Sequence, residues 1–456
     1  MWKETISLGA GTILGAIPTL LLGEIAIFSI SATIGLIIIG VGVGLYIKRR
    51  NMLMKRLNKG KALLEDEKFK EAYKVFHELE NDCMDFTLFY HECKMNEGIA
   101  LCKYAITTGI DEEANLIQSI SILKEEQSYY SEDTPEYFSI MKNIGTAYLV
   151  LSEIRNKKEY LNKAEGILES LLSFVDKSDK IQYSGLMINL GNVYKSQAGI
   201  NSDECKKDYL TKCFNHYMSA KEAIEPFELN AENDDIRKNY AKLLVNIGYL
   251  CLLSKEESML SDAKKCFTTA IKILKPDVDK YEYSLTKLGF GVTLAQMEWK
   301  PEEQAKISQN TIDEFELSKI KIDEKEDPKQ YARSMEMLGI AYTLITKSTK
   351  NRKMAMKSKG YFEKALEFFT CGNYPYRWAT IQKNIAVLYL IQGYDLMEDT
   401  DEDIESCLLS IHHGKEMFNE REYPIQHKDF DEQYKKVKNL YEKIKEKRED
   451  LEEPIY

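Results

Sequence analysis

Proline is scarce in this chain, nine in 456 residues. That composition leaves long stretches free to be helical and argues against a loop-rich or disordered chain. No Gly-rich phosphate loop, no HExxH, no GxSxG and no paired-cysteine zinc pattern occurs anywhere in it. Nucleotide hydrolysis, zinc proteolysis and serine-hydrolase chemistry therefore have no motif to rest on, and an enzyme is not expected. Nine cysteines form no CxxC pair. An odd, scattered set in a chain this long fits reduced thiols in a reducing compartment better than a disulfide framework.

Beyond the N-terminal region, basic residues are outnumbered by acidic ones. The formal charge is −11, yet up to residue 61 there are eight Lys/Arg against two Glu, which leaves 54 basic and 71 acidic residues and a body of −17. Such a body repels phosphate backbones, so a DNA or RNA partner is not expected. Basic partner segments are weakly favoured. No cofactor or metal ligand set is evident: His412-His413, as helix neighbours, point in different directions. The acidic runs at 323–327 and 399–403 read as solvated turns.

What is present begins with an apolar N-terminus. From Ile6 to Ile47 the only charged residue is Glu24, and as one helix this stretch would be about 60 Å long, twice a hydrocarbon core. Two arrangements satisfy it. A helical hairpin with spans Thr5 to Leu22 and Ile25 to Ile47, turning at Gly23-Glu24, is preferred; alternatively Pro18 breaks the first segment into a re-entrant piece before one long span. Lys48, Arg49, Arg50, Lys55 and Arg56 follow at once, which predicts an interface on the cytoplasmic side and a cytosolic body. Ser7, Gly11 and Gly15, like Gly40 and Gly44, recur at four-residue steps. They predict close helix contact in lipid, either within the hairpin or in self-association.

The remainder repeats. Gly60, Gly98, Gly145, Gly191, Gly248, Gly289, Gly339 and Ala386 stand 38 to 57 residues apart. An aromatic precedes seven of them by eight positions: Tyr90, Tyr137, Tyr183, Tyr240, Tyr281, Tyr331 and Trp378. Three positions after them come mostly large residues such as Leu63, Tyr148, Tyr194, Tyr342 and Tyr389. These offsets share one helix face, so each unit opens with an amphipathic helix A whose small residue admits a second helix closely. Pro135, Pro328 and Pro375 mark A-helix starts, with Thr134 and Asp327 as N-caps. Ala72/Phe76, Ala164/Leu168, Ala263/Phe267 and Ala365/Phe369 mark a helix B. Ile425 to Glu449 reads as a C-terminal capping helix.

The spacing of Gly60, Phe69, Ala72 and Phe76 resembles the tetratricopeptide repeat, a helix-turn-helix unit; later units keep helix A but take longer to reach the helix B alanine. The resemblance covers about residues 52 to 420. It implies an all-α, right-handed solenoid of about eight units that binds a protein or peptide. The expected divisions are an anchor of one or two transmembrane helices at 1–50, a solenoid at 51–423 and a cap with tail at 424–456.

Two residues before the small position stand Asn58, Asn96, Asn143, Asn189, Asn246 and Asn384, with Lys287 and Met337 interrupting. Asn is a mediocre helix former, so its recurrence asks for a reason. In tetratricopeptide proteins asparagine at this place contacts the backbone of an extended peptide, which by resemblance assigns peptide contact to Asn96, Asn143, Asn189, Asn246, Lys287 and Asn384. The other reading is that these amides bond neighbouring helices or cap turns. Two functions follow: a membrane-anchored, cytosol-facing scaffold, or an effector whose hairpin oligomerises to perturb the membrane when the array senses a partner.

Overall fold

The computed structural model describes residues 25–155, 157–201, 203–228, 234–252, 257–297, 313, 323–325, 327–393 and 401–452. Among them are sixteen α-helices and one 3₁₀ turn, and no strand. The helices are α1 Ile25–Glu65, α2 Phe69–Cys83, α3 Thr87–Thr108, α4 Glu112–Gln127, α5 Pro135–Ile154, α6 Lys157–Ser170, α7 Lys180–Ala198 and α8 Asp203–Glu228. They continue as α9 Asp234–Leu252, α10 Glu257–Ile273, α11 Lys280–Gln296, α12 Pro328–Thr349, α13 Arg352–Phe368, α14 Pro375–Gln392, α15 Asp401–Met417 and α16 Pro424–Glu452. Every one of the eight small residues falls inside a helix, on α1, α3, α5, α7, α9, α11, α12 and α14. The chain is thus an all-α helical repeat array.

The glycines do what their spacing demands. A methyl group on Gly60 would come within 2.6 Å of Phe76, and one on Gly145 within 2.7 Å of Leu168. Contacts that short force the neighbour to move, so glycine is what lets helix B lie on helix A. Phe267 on α10 is wedged between two glycines, Gly248 on α9 and Gly289 on α11, and is fully buried. Three partners differ from the expected alanine-marked pairs, the first being Leu123 at Gly98. Gly191 takes Tyr217, whose hydroxyl donates to Asn192 Oδ1 at 2.6 Å, and Gly339 takes Phe362.

Helix starts follow local chemistry. Thr134 accepts the Tyr137 N–H at 3.2 Å with Pro135 in the first turn, as its sequence predicts, and Asp179 and Asn351 cap α7 and α13 in the same way. Asp327 precedes α12 without a side-chain cap bond.

The chain forms two compact units. The first comprises residues up to Tyr104 with Ser121–Tyr129; its core gathers Leu53, Leu57, Phe76, Leu79 and Phe86. The second comprises Ala105–Ile120 and everything from Tyr130 onward. Within it α5 packs against α6 and α7, and α14 packs back against α5 while also meeting α12. Within this unit, α14 thus returns to a helix near the unit's start. Near its C-terminus, the Lys158 N–H donates to the Tyr423 hydroxyl at 3.3 Å, and Gln426 Nε2 donates to the Gly199 carbonyl at 2.7 Å.

The N-terminal expectations fare differently. The first span, with Ser7, Gly11 and Gly15, lies outside the described residues. Among the described residues no helix is long and apolar enough to cross a membrane. Where side chains are described, the exposed apolar run of α1 extends from Ile34 to Ile47, about 21 Å of helix against roughly 30 Å of hydrocarbon. From Ile25 onward the second segment and the first repeat helix are one continuous helix. Gly40 and Gly44 have open space where a side chain would be, so neither makes a close helix contact among the described residues. Of the basic cluster, Arg49 donates to the Asp82 carbonyl at 2.9 Å and Arg56 pairs with the Asp82 carboxylate, while Lys48, Arg50 and Lys55 are exposed. Two of the five are thus turned toward α2.

Candidate functional site

The A-helix asparagines occupy equivalent places but use their amides differently. Asn143 on α5 donates to the Ser139 carbonyl at 2.8 Å, and Asn96 on α3, 7% exposed, donates to the Glu92 carbonyl at 2.7 Å. Both bonds return to the preceding turn of their own helix. Asn189 on α7 instead reaches across to α5 and donates to Thr146 Oγ1 at 3.1 Å. Asn246 on α9 and Asn384 on α14 are half-buried, and Lys287 on α11 lies 5.6 Å over the Tyr283 ring. A side-chain amide carries two donor hydrogens and an acceptor oxygen, so the single donor bond from Asn189 to Thr146 leaves capacity for a ligand's peptide groups.

A second constellation was not visible in the repeat alignment. Where α14 comes back onto α5, Arg333 of α12 donates to Glu153 of α5 at 2.8 Å, and Arg377 of α14 approaches the same carboxylate oxygen at 3.5 Å. Arg377 Nε also donates to Glu336 at 2.7 Å, and its guanidinium lies 4.5 Å over the Phe369 ring. Desolvation raises the Glu153 pKa, but Arg333 and Arg377, helped by Lys329 and Lys157, outweigh it and hold the carboxyl down to about 2. Lys157 and Lys195 complete the group. Each is half-buried, desolvation lowers the pKa of each, and each feels the charge of Glu153.

Beside this group lies Lys329 on α12. Its amine pairs with Glu112, which also accepts from the Tyr374 hydroxyl, and all three side chains are buried. Desolvation, then the Arg333 charge, lowers the Lys329 pKa to about 8 despite the carboxylate partner. Gly109, at φ +69°, allows the chain to turn here against Phe368 and Lys329. A 280 Å³ cavity opens next to this cluster, bordered by Glu113, Arg155, Asn373 and Tyr374.

The repeat pattern could not reveal these residues, because they stand at unequal distances from the small positions and meet only once α14 reaches α5. His412 and His413 diverge as expected, the first toward Glu416 at 3.7 Å and the second against Trp378. His77, Glu80 and Glu97 bring ligand atoms within 4.8 Å of one another, but Lys94 stands 3.2 Å from both carboxylates and already supplies the positive charge.

No protein-family model matches the chain, and no curated protein matches it in sequence. Among solved structures it is similar to a Rap protein complexed with Competence and Sporulation Factor, at 13% identity over 87% of this chain and 99% of that one, with a TM-score of 0.47. The apo form of RapI is similar at 12% identity over 87% and 99%, with a TM-score of 0.41. The TPR domain of P58(IPK) is similar at 16% identity over 86% and 98%, with a TM-score of 0.23.

Proposed function

We propose that this protein is a tetratricopeptide-type scaffold whose second unit holds an extended segment of a partner protein along the A helices. The observation that carries the reading is the placement of Asn143, Asn189 and Asn246 at one register on α5, α7 and α9, half-buried and reachable. An amide row reads any peptide backbone irrespective of its side chains. The test is affinity capture with the full chain and with the Asn143→Ala/Asn189→Ala/Asn246→Ala variant, analysed side by side by mass spectrometry. A partner held by the wild type and lost from a folded variant supports the reading; equal capture by both rejects it.

Attachment to a lipid surface, with the repeats in the cytosol, is a second proposal. It is favoured by the exposed Ile34, Leu36, Ile37, Val41, Val43 and Leu45 on α1, followed by exposed Lys48 and Arg50. Carbonate extraction of cells expressing the full chain decides it. Retention supports an integral anchor, sedimentation with membranes at neutral pH followed by release in carbonate supports surface attachment, and absence from the membrane fraction at neutral pH rejects both.

A further inference from the structure

The charge group on α4, α5, α6, α7, α12 and α14 is unevenly matched. Five cations, Lys157, Lys195, Lys329, Arg333 and Arg377, surround three carboxylates, Glu112, Glu153 and Glu336. Lys329 and the two arginines have partners on other elements. Lys157 and Lys195 form neither a hydrogen bond nor an ion pair with any described residue, although both are drawn deep enough for desolvation to penalise their charge. A chain whose body is strongly acidic thus concentrates under-compensated positive charge at the point where its A helices converge.

We propose that this group is the recognition site for an acidic partner segment, whose Asp or Glu carboxylates are taken by Lys157 and Lys195 beside the Glu153–Arg333–Arg377 cluster. The inference rests on the scaffold reading above and names the chemistry of what the scaffold holds. Arginines already positioned by Glu153 and Glu336 lose little order on meeting a further carboxylate, and ammonium groups with no carboxylate partner among the described residues gain most from one. A single small anion would satisfy two or three donors. Cations spread over four helices match successive carboxylates on an extended chain better than one phosphate. Glu153 shows within the protein that the site accepts a carboxylate. Nucleic acid, with one charge per nucleotide along a long backbone, would meet the acidic exterior on either side.

The test is calorimetric titration of the full chain with three capped octapeptides of alternating residues, Glu-Ala, Gln-Ala and Lys-Ala, at low and raised salt. The Glu peptide should bind at least about tenfold more tightly than the Gln peptide, with the difference shrinking as salt rises. Lys157→Gln/Lys195→Gln should erase that preference, and Lys157→Arg/Lys195→Arg should keep it, which separates loss of charge from loss of fold. Several results overturn the inference: Glu and Gln peptides bound alike, a preference that survives the Gln variant, or inorganic phosphate displacing the peptide at similar concentration. Failure of all three peptides to bind also overturns it, while the scaffold reading stands or falls on the asparagine comparison alone.

Discussion

Lys329 and Glu112 lie 217 residues apart in sequence and are joined as a buried ion pair in which neither side chain is more than 3% exposed. A buried pair of this kind contributes little over an apolar contact of equal volume, but breaking it strands a charge. Lys329→Met should therefore lower unfolding free energy by about 3 to 5 kcal/mol. Adding Glu112→Leu should recover much of the loss, a non-additivity that urea denaturation of the two singles and the double would register. Tyr374→Phe removes a donor to Glu112 and should cost about 1 to 3 kcal/mol.

Glu153 gives the protein an acid sensitivity with a definite window. Its folded pKa is about 2 against the ordinary glutamate value of 4.5, so as pH falls the unfolded chain takes up the proton first. Stability from this group is complete above 4.5, declines as pH falls, and is gone below about 2. Lys329 acts in the opposite range: its folded pKa of about 8 lies below 10.5, so its unfavourable burial is relieved as pH rises between those values. Thermal melts of wild type and Glu153→Gln from pH 2 to 6 check the first; Glu153→Gln should flatten the slope.

The glycines divide into two classes with opposite responses to alanine. Gly289→Ala would place a methyl 2.4 Å from the Phe267 ring, and overpacking of that kind costs about 1 to 3 kcal/mol. Gly166 on α6 and Gly360 on α13 face open space, so Gly166→Ala and Gly360→Ala should each stabilise by about 0.5 to 1 kcal/mol through helix propensity. Phe267→Ala should be worst, at about 3 to 5 kcal/mol. Differential scanning calorimetry would rank the four.

The triple asparagine change tests structure as well as binding. Asn189 bonds across to Thr146 on α5, so the variant should lose about 1 kcal/mol of stability there and remain folded by circular dichroism. A collapse of the fold would assign the row to the solenoid's own framework.

The sequence already spelled out the helices, because small-residue spacing, Pro135, Pro328, Pro375 and the Thr134 cap act through neighbours a few positions away. Helix B partners were legible where an alanine preceded them by four, as at Phe76, Leu168 and Phe267. Tyr217 and Phe362 were missed because the same space is filled from a different register. The charge group was hidden for a deeper reason: Glu153 and Arg333 stand 180 residues apart and meet, with Arg377, where α14 packs back on α5, a tertiary contact that no local pattern encodes. The asparagine row was visible, but not that Asn143 and Asn189 would turn to different acceptors.

The return of α14 to α5 also constrains how many units the array can contain. Open solenoids gain or lose repeats readily, since each layer touches only its neighbours. Here Glu112 must meet Lys329 and Tyr374, and Glu153 must meet Arg333 and Arg377, across several intervening helix pairs. Duplicating or deleting one pair would rotate these partners out of register and leave buried charges on both sides of the seam. Charge matching between its first and last turns thereby constrains the length of this part of the chain, and an added or deleted unit should be tolerated better in the helices outside that span.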